Sequence, residues 1–445
     1  MKSIITHKQS GMKTLLNIVF VCTLFAWLSC HNNPTGPSQA AISLSAVYVG
    51  VTDAALRLHI SYTLSTDRFQ LRADTAVIAG GLVPLSDTVI YVDNLLPYRS
   101  YYFYLAKLDS AGIIEGGSTL TFTTMDTTSN NFTWQFDTLA GQGGSSYLND
   151  VVIINDTLAY AVGALYHNDS TGHPDPIQDN LAVWDGKKWT LQSVGDYYGT
   201  VFLPADLFAI FVFSKNDIWV GGSGALHWDG ASWHDTYITN QVFNGRVQSL
   251  WGNSSSDLYI VGTNGSMAHY DGSAWTPVQS GTSLDIQDIW GATDSTTGQQ
   301  TILAAAGNTY VSNARQVLQI TGMQVTTLSD NGINGALRGI WFLPGKQYWV
   351  VGDGVWEDRQ PLTMPQWNPY FVTTYFSEAI RGDALNNIFV CGDDGNVWHY
   401  NGFAWHSSPP QVSISGLYYS VAVKGNLVIA VGELNPPAIV AIGRR

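Results

Sequence analysis

Charge is scarce in this chain, and positive charge scarcer still: 12% of its 445 residues are charged, with 20 basic against 34 acidic and a formal net charge of -14. Phosphate binding draws its affinity from clustered Lys and Arg, so this balance argues against nucleic acid as a partner. Cysteine is rarer again. Of three residues, Cys22 sits in an N-terminal apolar run and Cys30 follows it, which leaves Cys391 alone and rules out a disulfide framework. Inside Ile388-Phe389-Val390-Cys391 that thiol reads as a small buried hydrophobe, not a nucleophile. The apolar run Leu15 to Ser29 is shorter than the about 20 residues a membrane span needs, and few stretches suggest a helix. What is abundant is glycine and aromatic residues: 44 Gly, 16 Trp, 22 Tyr and 17 Phe. That composition suits many short strands joined by tight turns, with aromatic rings between the sheets.

Met12-Lys13 ahead of the apolar run reads as the basic and hydrophobic regions of an export signal, with translation from either Met1 or Met12 compatible. Leu24-Phe25-Ala26-Trp27-Leu28-Ser29-Cys30 resembles a bacterial lipobox, with Trp27 where that pattern usually has Leu. The resemblance implies a signal peptide over 1–29, lipidation of Cys30, and an outer-membrane lipoprotein that touches the membrane only through its anchor. Whether it faces the periplasm or the cell surface stays open, because His31-Asn32-Asn33 carries no acidic tag. Residues 30–40 are polar and rich in turn formers, as expected of a flexible tether.

From 41 to 125 the pattern is of short alternating strands, clearest in Leu56 to Ile60, Thr88 to Val92, Tyr101 to Ala106 and Leu120 to Thr124. Leu96-Pro97-Tyr98-Arg99-Ser100-Tyr101-Tyr102, followed by Ala111-Gly112 and Phe122-Thr123-Thr124, resembles the last third of a fibronectin type III domain. The resemblance implies an Ig-like sandwich with Tyr98 in the tyrosine-corner role. Residues 126–130 read as a Ser/Thr/Asp linker.

The rest of the chain, 131–445, repeats. Asp217-Ile218-Trp219-Val220 runs to His227-Trp228-Asp229-Gly230-Ala231-Ser232-Trp233. Asp257-Leu258-Tyr259-Ile260-Val261-Gly262 runs to His269-Tyr270-Asp271-Gly272-Ser273-Ala274-Trp275. Asn387-Ile388-Phe389-Val390-Cys391-Gly392 runs to His399-Tyr400-Asn401-Gly402-Phe403-Ala404-Trp405, and a worn copy ends at Trp184-Asp185-Gly186-Lys187-Lys188-Trp189. A glycine closing the second strand recurs at 163, 222, 262, 307, 352, 392 and 432, with spacings of 59, 40, 45, 45, 40 and 40. Each unit reads as a four-stranded antiparallel blade, its Asp-Gly or Asn-Gly expected to form a two-residue hairpin with both central residues at positive φ. Seven glycines predict a seven-bladed β-propeller. Asn131 to Phe136 is an unowned strand, with Trp134 in the slot of Trp189, Trp233, Trp275 and Trp405, and is expected to complete the last blade beside Ile439 to Ile442. The fold class is therefore all-β, a sandwich followed by a propeller closed by an N-terminal strand. The repeat resembles those of bacterial surface propellers and photosystem assembly-factor-like propellers, and more distantly the sialidase Asp-box. The full Ser-x-Asp-x-Gly-x-x-Trp pattern is met in no unit, so no functional residue is carried over.

Residues that recur in one slot of several blades serve the blade, so His227, His269 and His399 are expected to make structural hydrogen bonds, and Asp229, Asp271 and Asn401 to shape turns. A sialidase would need an arginine cluster, an acid and a nucleophilic Tyr. Arg246, Arg315, Arg338, Arg359 and Arg381 are available, of which Arg338 and Arg381 lie in or near inner strands, too few for that chemistry. The insertion 164–180 holds His167, Asp169, His173, Asp175 and Asp179 but matches no metal signature. It is read as a solvated loop, with metal binding left open. Connections between blades hold Tyr197, Tyr198, Tyr237, Phe243, Tyr370-Phe371 and Tyr375-Phe376, a candidate aromatic rim for sugar rings or peptide side chains. The expectation is a monomeric, non-enzymatic binding protein with no catalytic residue, cofactor or metal, whose partner is an envelope or extracellular protein or glycan. Two other classes stay open: a propeller-type glycosidase or lyase, and an assembly factor for an envelope complex.

Overall fold

A computed structural model describes residues 42–445 apart from 61–67, 74–75, 83–87, 109–110, 113, 199–200, 310, 312, 371 and 409–415. Cys30, the signal segment and the tether lie outside the described residues. The chain divides into two compact units, the boundary falling between Thr127 and Thr128.

The first unit holds β1 (Ile42–Val49), β2 (Ala54–Ile60), β3 (Arg68–Ala73), β4 (Ala76–Leu82), β5 (Thr88–Val92), β6 (Ser100–Leu108) and β7 (Ile114–Thr123). They form two antiparallel sheets, β1-β2-β5 and β4-β3-β6-β7. Period-two alternation puts Leu44, Leu56, Leu58, Ile90 and Val92 of one sheet against Phe69, Leu71, Phe103 and Leu105 of the other. The corner ahead of β6 corrects an expectation. Tyr98 is 76% exposed, and it is the Tyr101 hydroxyl that accepts a hydrogen bond from the Leu96 amide at 2.8 Å. The reason is parity: Tyr101 shares the inward face of β6 with Phe103, whereas Tyr98 sits in the turn at φ 47.

In the second unit, β8 (Thr133–Leu139) is followed by seven four-stranded antiparallel sheets, numbered here in chain order. Their innermost strands are Tyr147–Asn155, Ala209–Ser214, Val247–Ser254, Ile286–Thr293, Leu337–Leu343, Ser377–Ala384 and Leu417–Lys424. Each lies against the innermost strand of the next sheet, and the seventh lies against the first. The outermost strand of the seventh sheet is β8, which pairs with Ala438–Arg444 in the register Ile442↔Gln135 and Gly443↔Trp134. Residues 128–130, read from the sequence as linker, are held by the sixth sheet: the Thr128 amide donates to the Asn401 carbonyl at 3.3 Å, and Asn130 Oδ1 meets His399 Nδ1 at 2.6 Å.

Two local features of the repeat carry the geometry of the axis. In six of the seven sheets the innermost strand has a register break against its neighbour that skips one residue: Asn149, Gln248, Gln287, Arg338, Glu378 or Tyr419. Such a bulge bends the strand and re-aims the extra side chain. The repeat glycine sits opposite. A Cβ on Gly163, Gly262, Gly352, Gly392 or Gly432 would collide with the carbonyl oxygen of Tyr147, Arg246, Ala336, Phe376 or Leu417, two residues before the re-aimed position, and one on Gly222 with that of Asp206, two residues before Phe208. The glycine is thus demanded by close backbone approach, not by a turn.

The Asp-Gly hairpins are a second correction. Gly186, Gly230, Gly272 and Gly402 have φ of 93°, 94°, 91° and 90°, but the preceding Asp or Asn does not reach positive φ. The strands join through four residues, with Tyr270 paired to Trp275 and Tyr400 to Trp405. The side chain explains it: Asp271 Oδ1 accepts the amides of Ser273 and Ala274, each at 2.9 Å, and Asn401 Oδ1 does the same for Phe403 and Ala404. In the first and second sheets these turn amides hold the carboxyls of Asp185 and Asp229 below the usual range, and in the third the Ser273 hydroxyl, with the Ala274 and Ser273 amides, brings Asp271 down to about 2.

Candidate functional site at the mouth of the axial cavity

The seven innermost strands surround a cavity of about 240 Å³. The six bulged side chains, together with Phe208, which immediately precedes the second innermost strand, all line it. Asp150, Ser249 and Arg381 of this lining also border a second cavity of about 350 Å³, whose walls include the apolar Ile210, Leu250, Ile289 and Val421.

Most polar groups around the axis are held by one another. Arg381 grips Asp288 through two bonds of 2.8 Å, and Ser249 adds a third to the same carboxylate at 3.1 Å. The Arg381 guanidinium also lies 5.3 Å from the Trp290 ring centre. Arg338 bonds Glu378 at 2.7 Å and donates to Gln287. Burial pushes the Glu378 carboxyl up, against the pull of Arg338. The Asp150 carboxyl is likewise raised by burial, although the Ile210 amide at 3.0 Å and the Ser420 hydroxyl at 2.7 Å stabilise its charge. Tyr419 donates to Glu433 at 2.9 Å, and Asn149 to the Leu207 carbonyl at 2.8 Å.

Arg338 and Arg381 thus reach the channel, and both are already neutralised there. Sequence reasoning did not single out the ring itself. A signal was present: in five sheets the ring residue lies fourteen positions ahead of the repeat glycine, as Asn149 does to Gly163 and Gln248 to Gly262.

The aromatic rim is partly dispersed by the fold. Phe243 is 4% exposed and belongs to the core with Trp219, Val247 and Ile260, so it is removed from the rim: the connection it stands in folds back over an apolar interior. Tyr370 ends the outermost strand of the fifth sheet, its ring 5.1 Å from that of Trp349, and burial and Glu357 push its hydroxyl upward. Tyr237 and Tyr375 are exposed on connections, and Asp394 accepts the Tyr375 hydroxyl bond and raises its pKa. The backbones of Tyr197 and Tyr198 form one arm of an added hairpin, Gly195–Tyr198 against Val201–Pro204. Phe371 lies outside the described residues.

The repeated histidines meet the second strand of their own sheets: His227 Nε2 to Asp217 at 2.9 Å, His269 Nε2 to Asp257 at 2.7 Å, and His399 Nε2 to Asn387 at 3.1 Å. Cys391 is buried, burial drives its thiol well up, and its Sγ contacts the Tyr418 carbonyl at 3.6 Å. In the insertion, Asp169 caps its own loop through Thr171 and His173, and His167 lies 3.6 Å from both Asp175 and Asp179. Among the described residues no group of three or more such side chains has the geometry to hold a metal ion.

No protein-family model and no curated protein matches this sequence. Among solved structures it is similar to YCF48 bound to D1 peptide, at 13% identity and a TM-score of 0.53, covering 72% of this chain and all of that one. It is also similar to the WD40 β-propeller domain of Doa1, at 17% identity and a TM-score of 0.50, covering 71% of this chain and 97% of that one. The second unit is a β-propeller fold.

Proposed function

We propose that this chain is an exported lipoprotein, lipidated at Cys30, in which a fibronectin type III-like sandwich carries a seven-bladed propeller closed by β8. Its activity is the non-enzymatic binding of an envelope or extracellular protein at the face where the axial cavity opens. One observation carries the reading. The slots that build each sheet repeat in kind, whereas the ring slot, equivalent in position around the axis, holds Asn149, Phe208, Gln248, Gln287, Arg338, Glu378 and Tyr419. A position that the fold aims into the cavity and fills with six residue types over seven sheets belongs to recognition, not to blade construction. The carboxylates around it are each clamped by an arginine or by amides and hydroxyls, which supports binding over acid-base hydrolysis. That a propeller of similar fold is described with a bound peptide supports a polypeptide partner.

The test is cross-linking capture from envelope extract with the full-length chain in detergent, beside a glycan array. The comparison is Gln248→Trp, which fills the cavity mouth. A partner held by the native chain and lost by Gln248→Trp at unchanged melting temperature is expected. A partner retained by that variant refutes the assignment of the mouth. Tyr237→Ala with Tyr375→Ala measures what the exposed aromatics add.

A further inference from the structure

The hydrogen bonds of the mouth are distributed unevenly around its circumference. Asn149, Arg338, Glu378 and Tyr419 are engaged as described, and Gln287 donates to the Gly307 carbonyl at 2.9 Å. On the remaining arc stand Phe208, Gln248 and Arg246. Arg246 is exposed, with its guanidinium carbon 4.2 Å above the centre of the Phe208 ring. Among the described residues no carboxylate lies within ion-pair distance of Arg246, and the Gln248 carboxamide has no hydrogen-bond partner. Of three arginines lining the cavity, two are neutralised and one is not.

An arginine held over an aromatic ring keeps N–H groups available, and its planar fork matches a carboxylate through two parallel bonds. The surroundings set the charge of the ligand. Glu378 and Asp288 offset Arg338 and Arg381 within the same lining, which leaves the Arg246 guanidinium as one positive charge at the rim, matched by a single carboxylate. Asp150, Ser249 and Arg381 line both this cavity and the more apolar one beneath it, so polar and charged side chains stand where the end of an entering polypeptide would arrive. We propose that Arg246, assisted by Gln248, is the subsite for the C-terminal carboxylate of a polypeptide partner. This rests on the partner-binding role of the mouth and adds to it the chemistry of what is bound.

The test uses the full-length chain in detergent and two pools of N-terminally fluorescein-labelled random pentapeptides, one with free C-termini and one amidated, read by fluorescence anisotropy at low salt. Saturable binding of the free-acid pool, at least tenfold tighter than the amide pool, is expected. Arg246→Gln should reduce free-acid binding to the amide level at unchanged melting temperature, and Arg246→Lys should restore part of it. Equal binding of the two pools, no loss in Arg246→Gln, or no binding of either pool overturns the proposal. Oligogalacturonate provides a second arm: Arg246-dependent binding of it without peptide binding would assign the carboxylate to a glycan and refute the polypeptide carrier. An envelope partner lost in Gln248→Trp but retained in Arg246→Gln refutes the carboxylate subsite alone; retention in both variants refutes both readings.

Discussion

His399 shows how one substitution changes the role of a repeated residue. In the second and third sheets the histidine faces an aspartate, but here its partners are Asn387, Asn130 and Thr128 and it is 2% exposed. Burial, with Arg445 and His406 adding to it, lowers its pKa to about 3. A group neutral in the folded state and protonated when unfolded adds stability above the unfolded value of about 6.5, and loses it as pH falls toward the folded one. Between roughly pH 6 and 3 this one residue contributes a slope of up to about 1.4 kcal/mol per pH unit. Urea melts of the native chain and His399→Gln are expected to converge as pH falls through that window, and a constant gap would contradict the assignment. The Arg381 and Asp288 pair makes a second prediction at this scale. Arg381→Leu leaves a buried carboxylate unpaired and should cost about 3–5 kcal/mol, whereas the double change Arg381→Leu with Asp288→Asn should cost less than the single one. Chemical denaturation of the three variants measures it.

Among the elements, the inner strand and its facing glycine form one device. The bulge brings a carbonyl against the next strand, and only a residue without Cβ fits there. Gly262→Ala is therefore expected to destabilise by about 1–3 kcal/mol, from overpacking against the Arg246 carbonyl. Gly281→Ala, at a positive φ in open space, tests backbone strain alone. A loss at Gly262 no greater than at Gly281 would sink the close-approach account. The outer hairpin is the other device. Asn401→Ala removes the acceptor of two loop amides and should cost about 1–2 kcal/mol in thermal or urea unfolding, with Asn401→Asp restoring most of it. These elements were legible only in part. Gly262 and Asn401-Gly402 could be read as repeat marks, but their reasons could not: a collision with Arg246 and a side chain that replaces a turn's own backbone bonds are contacts, not patterns.

For the second unit as a whole, the chain ends meet in one sheet, where β8 covers the outer edge of Ala438–Arg444 and packs Trp134 and Phe136 against Val428 and Ala441. Deleting 131–139 would leave an unpaired edge and an uncovered apolar face. Aggregation or loss of cooperative unfolding is expected by size-exclusion and circular dichroism, with partial recovery when a peptide of residues 131–139 is added. A monomeric, cooperatively folding deletion would refute the role of β8.

What the sequence determined by itself is whatever depends on neighbours a few residues apart. Strand alternation, the glycine and Asp-Gly spacing, the spare strand around Trp134 and the all-β class were readable because pleat and turn chemistry are local. Tertiary structure alone decided which side chains meet. Arg381 and Asp288 are 93 residues apart, Phe243 turned into the core, Tyr101 took the place expected for Tyr98, and the ring at the axial mouth arose from register breaks. A break in register is a relation between two strands, and a shared axis is a relation among seven. Neither leaves a periodicity of its own in the chain.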